Sequence, residues 1–158
     1  MVLMQSNYSV MKKGFVAPDF TLKGIDDKEH NLNSLKGSNF TLIVFMCNHC
    51  PYVIPRLDEL NKLNEIEGLN VIGINSNDSE KYPDDSFENM KKMPVNFAYL
   101  RDKSQDIAKS YGAVCTPDPF LFDKDLKLIY HGRIDDIEKA LSSSIEEIPS
   151  QGCSIKWK

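Results

Sequence analysis

Leu42-Ile43-Val44-Phe45-Met46-Cys47-Asn48-His49-Cys50-Pro51 decides the reading of the chain. The unbroken apolar run Leu42 to Met46 is what a strand covered on both faces shows. Two cysteines with the spacing CxxC follow at once. Pro51 then stands where a helix would begin, a position at which its missing N–H costs nothing. Val53, Leu57, Leu60, Leu63 and Ile66 recur every three or four residues and predict one apolar helix face. Strand, CxxC turn and helix form the geometry of dithiol chemistry. The reading places the first sulfur, Cys47, at the helix N-terminus, where unpaired N–H groups and the helix dipole favour a thiolate. Cys50, one turn on, is then within reach to close a disulfide.

Working outward, residues 14–22 predict a turn and a short extended piece. Asp26-Asp27-Lys28-Glu29 is a polar turn, with a return strand at His30-Asn31-Leu32. His30 reads as a surface strand residue. After the CxxC helix, Gly68 predicts a helix end and Asn70 to Asn75 a second buried strand, completing a right-handed parallel βαβ unit. Ser76-Asn77-Asp78 falls at the same sheet edge as the cysteines, where open α/β sheets bind ligands. A short helix near residues 87–92, a strand at 97–100 and a helix at 105–111 stopped by Gly112 come next. Two apolar runs, 120–122 and 126–130, flank the polar turn Asp123-Lys124-Asp125 and predict a hairpin. Ile137, Leu141, Ile145 and Ile148 predict a last helix over 134–148.

Composition narrows the class. The 158 residues suit one domain with a proper core, 41% apolar and 27% charged. A net charge of −4 and a pI near 5.4 argue against nucleic acid or an anionic membrane as partner. No apolar run approaches the roughly 20 residues of a membrane span, and residues 1–13 hold no signal-peptide h-region. Four cysteines, two of them an adjacent CxxC, fit a reactive dithiol better than a secreted disulfide framework, which implies a reducing, cytoplasmic setting. The expected organisation is a loose arm over 1–13, a domain over 14–148 and a tail over 149–158.

The order strand, CxxC, helix, strand, helix, strand, Thr-Pro, hairpin, helix resembles the thioredoxin fold, an α/β fold with a central mixed sheet flanked by helices. Pro55 matches the proline of the family's active-site helix. Thr116-Pro117 matches its cis-proline, which packs beside the cysteines and presents backbone to a bound thiol or peptide. Ala17-Pro18-Asp19-Phe20-Thr21-Leu22 is similar to the first strand of the redoxin branch, which holds alkyl hydroperoxide reductase, thiol-specific antioxidant and bacterial thiol-disulfide reductases. Phe45 to Val53, Ala113 to Asp118 and Gly152 to Lys158 resemble a peroxiredoxin-like subgroup. Peroxiredoxins carry Thr or Ser three residues before their reactive cysteine and Pro four before that. Here those positions are Val44 and Phe40, and the hydroxyl that positions peroxide is missing.

The resemblance implies a thiol-disulfide oxidoreductase with no cofactor or bound metal. Cys47 attacks a protein or small-molecule disulfide, Cys50 resolves the mixed disulfide, and an unidentified thiol reductant restores the pair. Its alternatives are a thiol peroxidase, with a hydroperoxide oxidising Cys47 to sulfenic acid, and a metal or iron–sulfur module using Cys47, Cys50, Cys115 and His49 or Cys153. His49 inside the CxxC, as in oxidising disulfide catalysts, predicts a potential less negative than the roughly −270 mV of thioredoxin. Cys115 would lie near the CxxC turn, and Arg133 at the same edge would steady a thiolate. Behind the last helix, ten residues can extend over roughly 33 Å, enough to bring Cys153 back as a second resolving thiol or as a partner of Cys115.

Overall fold

The computed structural model describes residues 3–158. In chain order its elements are β1 (Leu3–Gln5), β2 (Thr21–Gly24), β3 (Glu29–Asn31), α1 (Leu32–Leu35), β4 (Phe40–Phe45), α2 (Leu57–Asn64) and β5 (Leu69–Asn75). There follow α3 (Phe87–Met90), β6 (Ala98–Arg101), α4 (Asp106–Tyr111), β7 (Cys115–Thr116), β8 (Asp118–Asp123), β9 (Leu128–His131), α5 (Ile137–Ser142) and β10 (Gln151–Ser154). The large sheet has the order β3-β2-β6-β5-β4-β8-β9. β4, β5 and β6 are parallel, and β8 turns antiparallel against β4. This is the mixed α/β sheet that the sequence predicts.

β4 shows why its apolar run is unbroken. Leu42, Val44 and Met46 face one core with Leu60, Leu63 and Tyr99. Ile43 and Phe45 face the other with Ile72, Tyr111 and Phe120. Successive side chains of a strand point to opposite faces, so a strand sandwiched between helix layers must be apolar at every position. Phe120 is fully buried, and its ring packs edge-on against Phe45 and Tyr111 and stacks at 3.9 Å on His131.

Three expectations need correcting. The arm is not loose: β1 pairs antiparallel with β10, and β10 pairs with β7, so the two ends of the chain make a second, three-stranded sheet. The last helix stops at Ser142 instead of continuing to Ile148. Ser142-Ser143-Ser144 favours side-chain bonds to nearby backbone over helix propagation, and the hydroxyls of Ser142 and Ser143 both donate to the Lys139 carbonyl. Gly68 has φ +84° and lies beyond Asn64, the last residue of α2, so it shapes the turn into β5 and does not cap the helix.

Phe120→Ala should cost about 3–5 kcal/mol, the range for removing a buried phenylalanine. Denaturant unfolding would show the midpoint falling with the slope unchanged.

Candidate active site

The site forms where β4 ends. Met46 extends the ladder by one residue, its N–H donating to the Ile74 carbonyl at 2.9 Å. The chain then turns through Asn48 and His49 without helix. The Cys50 carbonyl accepts from Val53 and Ile54 at 2.9 and 3.0 Å, opening the first helical turn. A tight 3₁₀ turn over Ile54–Arg56, with Pro55 in its first positions, leads into α2. A residue before proline avoids the α region, so no helix can begin ahead of Pro51. The helix start thus serves Cys50 and not Cys47: the Tyr52 N–H donates to Cys50 Sγ at 3.4 Å. This corrects the placement read from the sequence.

Three sulfurs lie in a row. Cys47 and Cys50 are each 1% exposed and share a hydrogen bond. Cys50 Sγ also meets Cys153 Sγ, at 3.0 Å. The Thr116–Pro117 peptide is cis, as the resemblance implies. Its threonine touches both cysteines: the hydroxyl lies 3.7 Å from Cys47 Sγ, and the carbonyl oxygen lies 3.4 Å from Cys50 Sγ.

The charge in this row rests on Cys50. The hydrogen bond from Cys47 lowers its pKa to about 4, with further help from the Cys153 thiol, Thr116 and the Tyr52 N–H, and against the effect of burial. Cys47 is pushed up by the same shared hydrogen bond, by burial and by the Asp85 charge, while the Thr116 hydroxyl pulls it down. Cys153 is raised to about 11, first by burial and then by its bond to Cys50.

Asp85 is a site residue that sequence reasoning missed. Its side chain is fully buried under the CxxC turn. Oδ1 accepts from the Asn48 N–H at 2.8 Å and from Asn75 Nδ2 at 3.3 Å, and Oδ2 accepts from Asn77 Nδ2 at 2.9 Å. His49 Nδ1 stands 3.1 Å from the same Oδ2, so the imidazole is held toward Asp85, with 39% of its side chain still exposed. Tyr99 completes the cradle by donating to Asn48 Oδ1 at 2.7 Å. The available signal was Tyr82-Pro83-Asp84-Asp85 following β5 at the ligand-binding sheet edge. Of the residues singled out there, Asn77 joins the cradle.

Other expectations fall away. Cys115 alternates to the face of β7 opposite Thr116; its thiol points to the Pro117 carbonyl at 3.7 Å, and burial followed by the Asp118 charge pushes its pKa up. The register Cys153↔Thr116 aims Cys153 at Cys50 and leaves Cys115 outside the row. Cys47, Cys50 and Cys115 therefore do not assemble as a ligand set. The one trio with ligand atoms close together among the described residues is Cys47, His49 and Asp85, within 4.8 Å. Arg133 is engaged by Asp136, Nε to Oδ2 at 2.7 Å, and lines a groove of about 520 Å³ with Pro51, Tyr52, Pro117 and Gln151. His30 is the surface strand residue expected, lying in β3 and paired with Asp26 at 2.8 Å.

Known proteins resemble this chain along most of its length. Thiol-disulfide oxidoreductase ResA of Bacillus thuringiensis subsp. konkukian is 26% identical over 141 residues, covering 87% of this chain and 79% of that protein. A conserved protein of Geobacillus kaustophilus has a crystal structure with a TM-score of 0.94 and 38% identity, covering 100% of this chain and 97% of its own. The thioredoxin domain of a thiol-disulfide oxidoreductase from Bacteroides vulgatus shares the fold at a TM-score of 0.64 and 20% identity, over 84% of this chain and 99% of that domain. No described helix is long and apolar enough to cross a membrane. The AhpC/TSA sequence profile matches residues 14–131, and the chain belongs to the AhpC/TSA family.

Proposed function

We propose that Cys47 and Cys50 are the redox pair of a thiol-disulfide oxidoreductase. The reading is carried by two buried, hydrogen-bonded sulfurs set against Thr116 of a cis Thr-Pro. The chain is an oxidoreductase acting on thiols and disulfides. Of the two sulfurs, Cys47 lies beside the half-exposed His49 and under the Thr116 hydroxyl, so it is the one to attack. The proton of the Cys47 thiol passes along the shared hydrogen bond to Cys50, which leaves the charge of the pair unchanged. The Cys47 thiolate attacks a substrate disulfide and releases one thiolate. Cys50 then gives its proton to that thiolate, attacks the Cys47 sulfur, and frees the second half of the substrate as a thiolate. An external thiol runs the sequence backward to reset the pair. The partner is a protein or small-molecule disulfide, and the setting is the reducing cytoplasm, in keeping with one CxxC instead of a dense cysteine framework. Peroxide reduction fits less well, since Val44 offers no hydroxyl three residues before Cys47.

Trapping with a chromogenic disulfide tests the roles. Cys50→Ser should take one attack and hold the mixed disulfide on Cys47, while Cys47→Ser should lose turnover. Accumulation on Cys50 in Cys47→Ser, with none on Cys47 in Cys50→Ser, would reverse the assignment.

The low pKa of Cys50 has two consequences. Against an ordinary cysteine near 8.5, its lowering to about 4 keeps one thiolate on the reduced pair at neutral pH. Because folding lowers this pKa, the stability gained by the reduced fold is complete above about 8.5 and is lost as pH falls through about 4. Stabilising the reduced form makes the disulfide a better oxidant. A redox titration against glutathione should therefore give a potential less negative than the roughly −270 mV of thioredoxin. The ultraviolet absorbance of the thiolate should titrate on the acid side of neutrality, and Cys50→Ser should remove that step.

Asp85 works against Cys47. Asp85→Asn should shift the alkylation of Cys47 to lower pH. It should also cost about 1–3 kcal/mol, because one of the cradle's N–H donors loses its acceptor. An unmoved alkylation profile would mean that the Asp85 charge does not reach the sulfur.

A further inference from the structure

The tail sits where a substrate would. β10 lies antiparallel on β7, with Cys153 opposite Thr116 and Ser154 opposite Cys115. Thr116 is the residue before the cis bond, the backbone that the resemblance assigns to a bound peptide. Contact is close: a Cβ on Gly152 would meet the Thr116 carbonyl oxygen at 1.8 Å, so only glycine lets the tail lie there. The tail is fastened at both ends. Ser150 donates from Oγ to the Pro117 carbonyl at 2.6 Å, and its N–H donates to Ser6 Oγ at 3.1 Å. Past β10, Ile155 donates to the Val114 carbonyl at 2.9 Å, and Lys156 donates to Asn77 Oδ1 at 2.9 Å. Between these fastenings the Cys153 sulfur is held 3.0 Å from Cys50.

We propose that Cys153 is a third redox thiol, and that the chain passes its disulfide from Cys47–Cys50 to Cys50–Cys153. This rests on the reading of Cys47 and Cys50 as the exchanging pair. The step is an isomerisation that needs no further oxidant. Cys153 loses its proton and attacks Cys50 Sγ, the Cys50–Cys153 bond forms as the Cys47–Cys50 bond breaks, and Cys47 leaves as thiolate and takes up the proton. Oxidation is thereby stored between helix start and tail, Cys47 is restored as a thiol, and the tail becomes covalently tied across the Thr116–Pro117 edge.

Peptide mapping reads the step directly. Trypsin leaves Cys47 and Cys50 together on residues 37–56 and Cys153 on residues 140–156. The fully reduced full-length chain is oxidised with one equivalent of oxidised glutathione, alkylated at low pH and digested without reduction. A cross-linked pair 37–56/140–156 is the expected product, absent from Cys153→Ser, which should show only the loop within 37–56. Cys47→Ser should not cross-link, as the relay begins from a Cys47–Cys50 bond. A wild-type map holding only the Cys47–Cys50 loop, with Cys153 alkylated, would overturn the relay and leave the redox pair standing. Failure to form any disulfide on 37–56 would overturn the pair, and the relay with it.

Discussion

Thr116 is the residue that the site cannot do without. Its hydroxyl reaches Cys47, its carbonyl reaches Cys50, and its backbone pairs with Cys153. The two sulfurs of the CxxC turn and a third 103 residues beyond Cys50 are therefore referred to one residue at the end of β7. That position is fixed in turn by β8, which continues from Pro117 and pairs with β4 along its length, Phe45 opposite Asp118. The strand that ends in the cysteines and the strand that begins after the cis-proline are neighbours in one sheet. Their ends meet because the register puts them there.

Burial makes the electrostatics consequential. A carboxylate and a thiolate side by side in a dry interior repel strongly and need partners. Asp85 is answered by the N–H groups of Asn48, Asn75 and Asn77 and by the imidazole of His49. Arg101 adds a cation behind the cradle, donating to the carbonyls of Asn77 and Asp85. Burial lowers the Arg101 pKa, and Asp85 opposes that effect. The Cys50 thiolate is answered by two thiols and one backbone N–H. Each anion has its own set of donors, and Cys47 lies between the two. A proton on Cys47 is the neutral compromise at rest, and its movement to Cys50 exchanges one buried anion for another instead of creating a second.

Much of this was legible in the sequence because it is local. The run Leu42 to Met46 reads as a strand covered on both faces, and CxxC beside it reads as a dithiol. Thr116-Pro117 and the hairpin at Asp123 to Asp125 carry their own turn chemistry. What escaped depends on long-range pairing or on competition between weak signals. Leu3 to Gln5 is a strand only because β10 offers it an edge from the other end of the chain. Ile145 and Ile148 keep helical spacing, but the serines before them break the helix, and Ile148 ends 44% exposed. The helix start falls to Cys50 and not to Cys47 because Pro51 restricts the residue before it, a constraint that the CxxC spacing alone does not carry. Asp85 looked like one acid in a polar loop. Only the return of that loop beneath the CxxC turn makes it a buried charge.

The tail also bears on how a buried pair is served. Both sulfurs of the CxxC are almost closed to solvent, so an external thiol must displace packed chain before it reaches Cys50. Cys153 needs no such displacement. A thiol tethered on the same chain acts at an effective concentration that reaches millimolar even through a flexible linker. Here the tether is ordered by strands on both sides, so little conformational entropy remains to be lost when the sulfurs meet. An external thiol has no such placement, whereas the strand that carries Cys153 is held in place by its pairing with both β1 and β7. The inner end of the pair is thereby reserved for the chain's own tail, and the outer end, at Cys47 and His49, faces the partner.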